Sequence, residues 1–202
     1  MKKIALLLLV CMATLAAPKA HAGLLISNKM GVKGGLTFYT ANIKNAIPLL
    51  PKSNISYNTG FHVGIADRLT LLKLLYVQPE LLYNRTSYDL KLDNGTTRVH
   101  TDLVNFPVAV GLHLLGFRVY AGPVVNILSN SGFSGSAFKK VTTTYPAIGY
   151  QGGVGFSILW VDVDFKINGG GAPTQTFINN DNSTSRVDLA KYNLMLSVGV
   201  MF

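Results

Sequence analysis

Large apolar side chains alternate with small or polar ones along most of this chain. The clearest run is the last, where Tyr192, Leu194, Leu196, Val198, Val200 and Phe202 share one face and Asn193, Met195, Ser197, Gly199 and Met201 the other. Period two marks a strand with an apolar border on one side. The same pattern predicts seven earlier strands, at roughly 29–40, 56–67, 74–90, 104–113, 117–128, 146–159 and 160–168. On strand four Val104, Phe106, Val108, Val110 and Leu112 oppose Asn105, Pro107, Ala109, Gly111 and His113. On strand seven Val161, Val163, Phe165 and Ile167 oppose Asp162, Asp164 and Lys166. Pro79, Pro107 and Pro123 each interrupt a good strand, and because proline cannot donate to a ladder a bulge or bend is expected at all three.

The connections decide the topology. Residues 68–73, 114–116 and 158–159 are tight, whereas 41–55, 91–98, 129–145 and 169–191 are longer and rich in Asn, Ser, Thr and Gly. Short turns on one side and long loops on the other predict an all-β fold, an eight-stranded antiparallel up-and-down transmembrane β-barrel with its turns and both termini in the periplasm. Asp93-Asn94-Gly95 reads as a tight turn at the tip of the shortest outer loop. A soluble sandwich strand would show the same alternation as strand eight. The ending separates the two readings, because an aromatic and aliphatic strand closed by Phe202 resembles the signal read by the outer-membrane barrel assembly machinery, with Tyr192, Val200 and Phe202 as its key positions.

The beginning of the chain points to the same compartment. Lys2 and Lys3 precede an apolar stretch from Ile4 to Ala17, and Ala20-His21-Ala22 is a small-x-small cleavage site. Residues 1–22 therefore read as a cleaved signal peptide and 23–202 as one barrel domain, with Gly23 as the mature N-terminus. The sole cysteine, Cys11, lies in the leader and follows Val10 too early for a lipoprotein site, so the mature chain has no disulfide and no Cys-ligated metal.

Charged residues make up only 13% of the sequence, which suits a protein whose outer surface is lipid. The formal charge is +9, and the leader's three lysines account for +3 of it. The remaining cations are scattered, and only Lys139-Lys140 adjoin, so a nucleic-acid surface is not expected. An excess of loop cations fits solvation or anionic headgroups better.

Candidate chemistry concentrates on the inward face, where Lys33, Glu80, Arg118, Asp162, Asp164 and Lys166 are expected to pair. An eight-stranded barrel is just wide enough for side chains to fill, so these groups should plug the lumen rather than line a channel. Glu80 is the sole glutamate, and its expected partners are Arg118, Lys33 or Lys166, with Gln78 and Tyr120 as neighbours. His62 and His113 point inward as interior histidines. His100 and Asp102 share a face at the outer rim, where a mutual hydrogen bond is expected rather than catalysis, since neither a Gly-x-Ser-x-Gly elbow nor an oxyanion nest is present. No His-x-His or His-Glu-x-x-His spacing marks a metal site, and no enzymatic activity or cofactor is expected. Phe117, Trp160 and Phe202 at one end, with Phe38, Tyr57, Tyr88 and Tyr192 at the other, predict two interfacial girdles.

Gly60-Phe61-His62-Val63-Gly64, Gln78-Pro79-Glu80-Leu81-Leu82-Tyr83 and Ala121-Gly122-Pro123 on successive strands resemble the recurring motifs of the PorT-like outer-membrane β-barrel family. The resemblance covers essentially the whole mature chain and implies an OmpA-like eight-stranded barrel and a link to type IX secretion accessories. Asn105-Phe106-Pro107 departs from the Glu-Ile-Pro of many relatives, so a charge role for that glutamate does not carry over. The expected role is structural or interactive, through the outer loops, in envelope integrity, adhesion or a secretion assembly. Its rival is a narrow pore for ions or very small solutes. Expected partners are outer-membrane lipid, the assembly machinery during biogenesis, and an extracellular or secretion-system protein.

Overall fold

The structure, a computed structural model, describes residues 26–40, 55–57, 59–92, 95–134, 138–143, 147–170, 174–179, 184–188 and 192–202. The expected leader, most of the first outer loop and the Asp93-Asn94 tip lie outside the described residues. In chain order the strands are β1 (Ile26–Thr40), β2 (Ile55–Tyr57), β3 (Gly60–Leu71), β4 (Leu75–Leu92), β5 (Gly95–Leu114), β6 (Phe117–Ser134), β7 (Phe138–Thr143), β8 (Ala147–Ile158), β9 (Val161–Gly170), β10 (Thr174–Asn179), β11 (Thr184–Asp188) and β12 (Tyr192–Met201).

Eight of them, β1, β3, β4, β5, β6, β8, β9 and β12, form a closed antiparallel barrel in which each pairs with the next. Closure comes from β12 against β1, in a register running from Gly31 opposite Met201 to Thr40 opposite Tyr192. Phe202 extends that seam, since its N–H donates to the Met30 carbonyl at 2.7 Å and its carbonyl accepts from the Met30 N–H at 3.0 Å. The alternation read along the chain becomes an inside-out molecule. Val32, Leu36, Val63, Val119, Phe165 and Val198 are exposed, while Lys33, Thr37, His62, Arg118, Lys166 and Ser197 are buried. Such an apolar belt around a polar interior is stable in lipid, where closure leaves no unpaired strand edge.

At one end the turns are tight, and all three put a leucine in the left-handed region: Leu72 at φ 53°, Leu115 at 49° and Leu159 at 55°. A branched side chain pays strain there, where asparagine or glycine is the usual occupant. The β3–β4 turn is shorter than expected. Strand β3 continues to Leu71, so Arg68 is a strand residue and not part of a turn.

At the other end the strands run longer than their alternation predicts. Strands β4 and β5 pair as far as Leu92 opposite Gly95, and β6 reaches Ser134. Segments expected as loops also supply a separate three-stranded sheet in the order β11, β10, β7, with Gln175 opposite Thr143 and Thr174 opposite Asp188. Period two does not reveal it, because Lys, Thr, Ser, Asn and Gln dominate these segments and the few apolar residues, Phe138, Val141, Phe177, Ile178 and Val187, do not alternate along any one strand.

The three prolines act as expected in kind, though not in form. Pairing lapses at Asp67 and Arg68 opposite Pro79 and Gln78, at Glu80 and Leu81 opposite Pro107 and Phe106, and at Val108 and Ala109 opposite Pro123 and Gly122. Register is kept across each gap, whereas the one shift in these ladders falls between Val104 and Asn105. A missing N–H removes a rung without adding a residue.

Candidate functional site in the barrel interior

The inward positions of five strands converge on a ring of charge. Glu80 of β4 accepts from Lys33 Nζ of β1 at 2.8 Å, from Lys166 Nζ of β9 at 2.7 Å and from Gln78 Nε2 at 2.6 Å. Gln78 Oε1 in turn accepts from Arg68 Nε of β3 at 2.6 Å. Arg68 pairs with Asp162. Arg118 Nη2 of β6 lies 3.3 Å from Asp162 and 3.1 Å from Asp164, and Asp164 returns to Lys33 Nζ at 3.2 Å. The path closes through Lys33, Glu80, Gln78, Arg68, Asp162, Arg118 and Asp164, with Lys166 attached at Glu80.

Among the described residues this layer holds four cations and three carboxylates, all buried. A lone buried charge is costly, and contact with more than one opposite partner offsets that cost. Lys33 and Asp162 each meet two such partners. Space for the long side chains comes from inward glycines on neighbouring strands. Gly155 stands between Arg118 and Asp164, and a Cβ there would come within 2.7 Å of Arg118 Nη2. At Gly153 it would meet the Tyr120 ring at 2.7 Å.

Above and below, the lumen is filled differently. Toward the loop end His62 bridges strands, with Nδ1 2.9 Å from Thr37 Oγ1 and Nε2 2.8 Å from Ser197 Oγ. A serine on an imidazole is one half of a nucleophile and base pair, yet the second ring nitrogen meets a hydroxyl rather than a carboxylate, and all three side chains are buried. The two hydrogen bonds crosslink β1, β3 and β12. Toward the turn end Tyr76 and Tyr120 pack edge to face, centroids 6.5 Å apart, over Ala109, with the Arg68 guanidinium 5.5 Å from the Tyr76 ring.

All six interior charges singled out from the sequence fall in this layer. Two expectations about it change. Arg118 belongs to the aspartates and not to Glu80, and Tyr120 gives Glu80 no hydrogen bond, its hydroxyl having no partner among the described residues. Arg68, Gln78 as a relay, Thr37 and Ser197 were not singled out. Arg68 was legible, since it shares the even parity of inward His62, Gly64 and Ala66 once β3 is carried past Asp67.

On the outer surface near the loop end, Asp102 accepts from the Tyr83 hydroxyl at 2.6 Å and faces Arg85 at 3.6 Å, so its partners are these and not His100. Arg98 donates twice to Asp89, at 2.7 and 3.1 Å. Phe117, Trp160 and Phe202 at the turn end, and Phe38 and Tyr192 at the other, are exposed as girdle residues. The side chains of Tyr57 and Tyr88 lie outside the described residues.

Residues 26–202 match the family model described as the outer membrane protein beta-barrel domain. Among solved structures, the outer membrane protein OprG from Pseudomonas aeruginosa is similar with a TM-score of 0.58 at 11% identity, over 87% of this chain and 96% of that one. The outer membrane protein AlkL, solved in lipid bilayers, is similar with a TM-score of 0.60 at 12% identity, over 92% of this chain and 95% of that one. At such identities the likeness concerns the fold alone. Comparison with curated protein sequences gave no match.

Proposed function

The chain belongs to the outer membrane protein beta-barrel domain family, and on that premise we propose that it is a structural and interaction protein, whose barrel anchors an outer surface for a partner. The observation that carries this reading is the closed ring of paired side chains across the lumen, from Lys33 through Glu80, Arg68 and Arg118 back to Asp164. A barrel filled in this way offers its loops, rather than its interior, to other molecules. The β7, β10 and β11 sheet supports the idea by giving the loop end an ordered platform. The Gly60-Phe61-His62, Gln78-Pro79-Glu80 and Ala121-Gly122-Pro123 motifs, by their resemblance to the PorT-like family, favour a role as a secretion-assembly accessory.

The test is crosslinking and capture from native outer membranes, with wild-type protein compared with a variant whose 174–188 segment is replaced by a short Gly/Ser linker. Recovery of a defined envelope partner with the wild type and its loss in the variant is expected. Identical capture from both would remove the sheet as the contact surface.

Two observations favour the rival reading of a narrow pore. The hydroxyls of Tyr76 and Tyr120 and Arg118 Nε lack partners among the described residues, and the ring layer carries one more cation than carboxylate. A lumen of that character would pass small anions in preference to cations.

A further inference from the structure

The tight turns of this barrel carry the wrong residues for water. Leu72, Leu115 and Leu159 hold left-handed backbone at the three tips and are 63%, 89% and 83% exposed. Asparagine or glycine would take the same backbone without strain and would suit an aqueous turn. Leu74, Leu114, Phe117, Ile158, Trp160 and Phe202 flank the tips and are exposed as well. Lys73 is the one charged residue within the three turns.

Strand length identifies what surrounds this rim. On β5 the outward positions are apolar for eleven residues, from Leu114 up to Val104, and the next outward residue is Asp102. On β4 they are apolar or aromatic for nine residues, from Leu75 up to Tyr83, and the next is the exposed Arg85. About 9 to 11 residues of tilted strand cross the hydrocarbon of a bilayer. With Asp102 and Arg85 kept among the headgroups of one leaflet, the strands reach the boundary of the other only at Leu114 and Leu75. No length remains to carry the turns out into water.

The seam strand gives the same depth. A bilayer midplane at Val198 leaves Phe202 four residues below it, about 10 Å lower along a tilted strand, against roughly 12 Å for half of the usual apolar band. The lipid-facing belt also runs into the rim without a polar break on β5, β6, β9 and β12, through Leu112, Val119, Val163 and Val200. A leucine on strained backbone gains nothing in water, whereas at the acyl boundary its side chain is removed from water and the strain is offset.

We propose that the turn end is itself a lipid-docking surface. The tips at Leu72, Leu115 and Leu159, with Trp160, rest where the acyl chains of the turn-end leaflet meet their headgroups, and Lys73 extends to the headgroup phosphates. This end of the barrel is thereby committed to lipid and closed to soluble partner proteins. The inference rests on the barrel alone and not on what the loops bind.

Trp160 is the sole tryptophan, so its fluorescence reports the rim directly. The test is quenching in the full-length protein refolded into phosphatidylcholine vesicles, once in the wild type and once with the tryptophan moved to a tip, as Leu115→Trp with Trp160→Phe. In both, quenching by aqueous acrylamide should fall at least threefold below that of the urea-unfolded chain. Bromines near the headgroup end of the acyl chains should quench at least twofold more than bromines near the methyl end. Leu115→Asn, which with Gly116 makes a favoured tight-turn pair, should lower the urea midpoint in vesicles, whereas turn chemistry alone would raise it. Acrylamide access equal to that of the unfolded chain, or a raised midpoint for Leu115→Asn, would overturn the proposal. So would protection that appears only at high protein-to-lipid ratio, which gives the rim to a second barrel, or only after a soluble envelope fraction is added, which gives it to a protein. Wild-type quenching decides alone should the variants not fold.

Discussion

Lys33 Nζ and Glu80 Oε1 meet at 2.8 Å although their strands, β1 and β4, are separated in the barrel by β3. The contact therefore reaches over β3 inside the lumen, and the one that crosses to the opposite wall comes from β9, four strands away from β4. Lys166 reaches the same carboxylate from β9 at 2.7 Å. Removing Glu80 would leave two buried ammonium groups facing each other, so Glu80→Ala should destabilise the barrel by about 3 to 5 kcal/mol. Glu80→Gln keeps an acceptor oxygen and should cost less. Urea unfolding midpoints of protein refolded in lipid vesicles measure both.

The inward glycines provide a steric prediction. A Cβ at Gly155 would press on Arg118 and Asp164, whereas at Gly152 the nearest neighbouring atom is 3.8 Å away. Gly155→Ala should cost about 1 to 3 kcal/mol through forced repacking, and Gly152→Ala should be close to neutral. Similar unfolding midpoints for the two variants would show that the charged ring does not need that space.

Lipid exposure can be tested by depth along one strand. Val198 is exposed halfway along β12 and pairs with Val163, itself on the outer face. Val198→Arg should cost about 2 to 4 kcal/mol at the bilayer midplane, and Tyr192→Arg about 0 to 1 kcal/mol near the interface. Unfolding in lipid vesicles is the measurement. A larger penalty at Tyr192 would move the membrane along the barrel.

Where an apolar face exists, the sequence showed both the strands and the direction of their side chains. Asp162, Asp164 and Lys166 could be placed inside because Val161, Val163, Phe165 and Ile167 had to be outside. Elsewhere in the chain that contrast fades. The β7, β10 and β11 sheet is mostly polar with no apolar alternation along any one strand, and β3 seemed to stop at Asp67 because a carboxylate on the apolar parity reads as a strand end. That early stop hid Arg68 from the ring and hid Asp67 from the wall. Which charge meets which was not legible, since partners such as Lys33 and Asp164 are 131 residues apart and meet only through barrel closure and strand stagger.

The proposed function depends on paired side chains closing the lumen. Single-channel recording of the refolded protein in planar bilayers, in concentrated potassium chloride, tests it most directly. No unit conductance steps are expected from the wild type, and small steps are expected from Glu80→Ala, where the ring is opened between Lys33 and Gln78. Steady, reproducible steps from the wild type, anion-selective in reversal potential, would contradict the closed lumen and favour the pore.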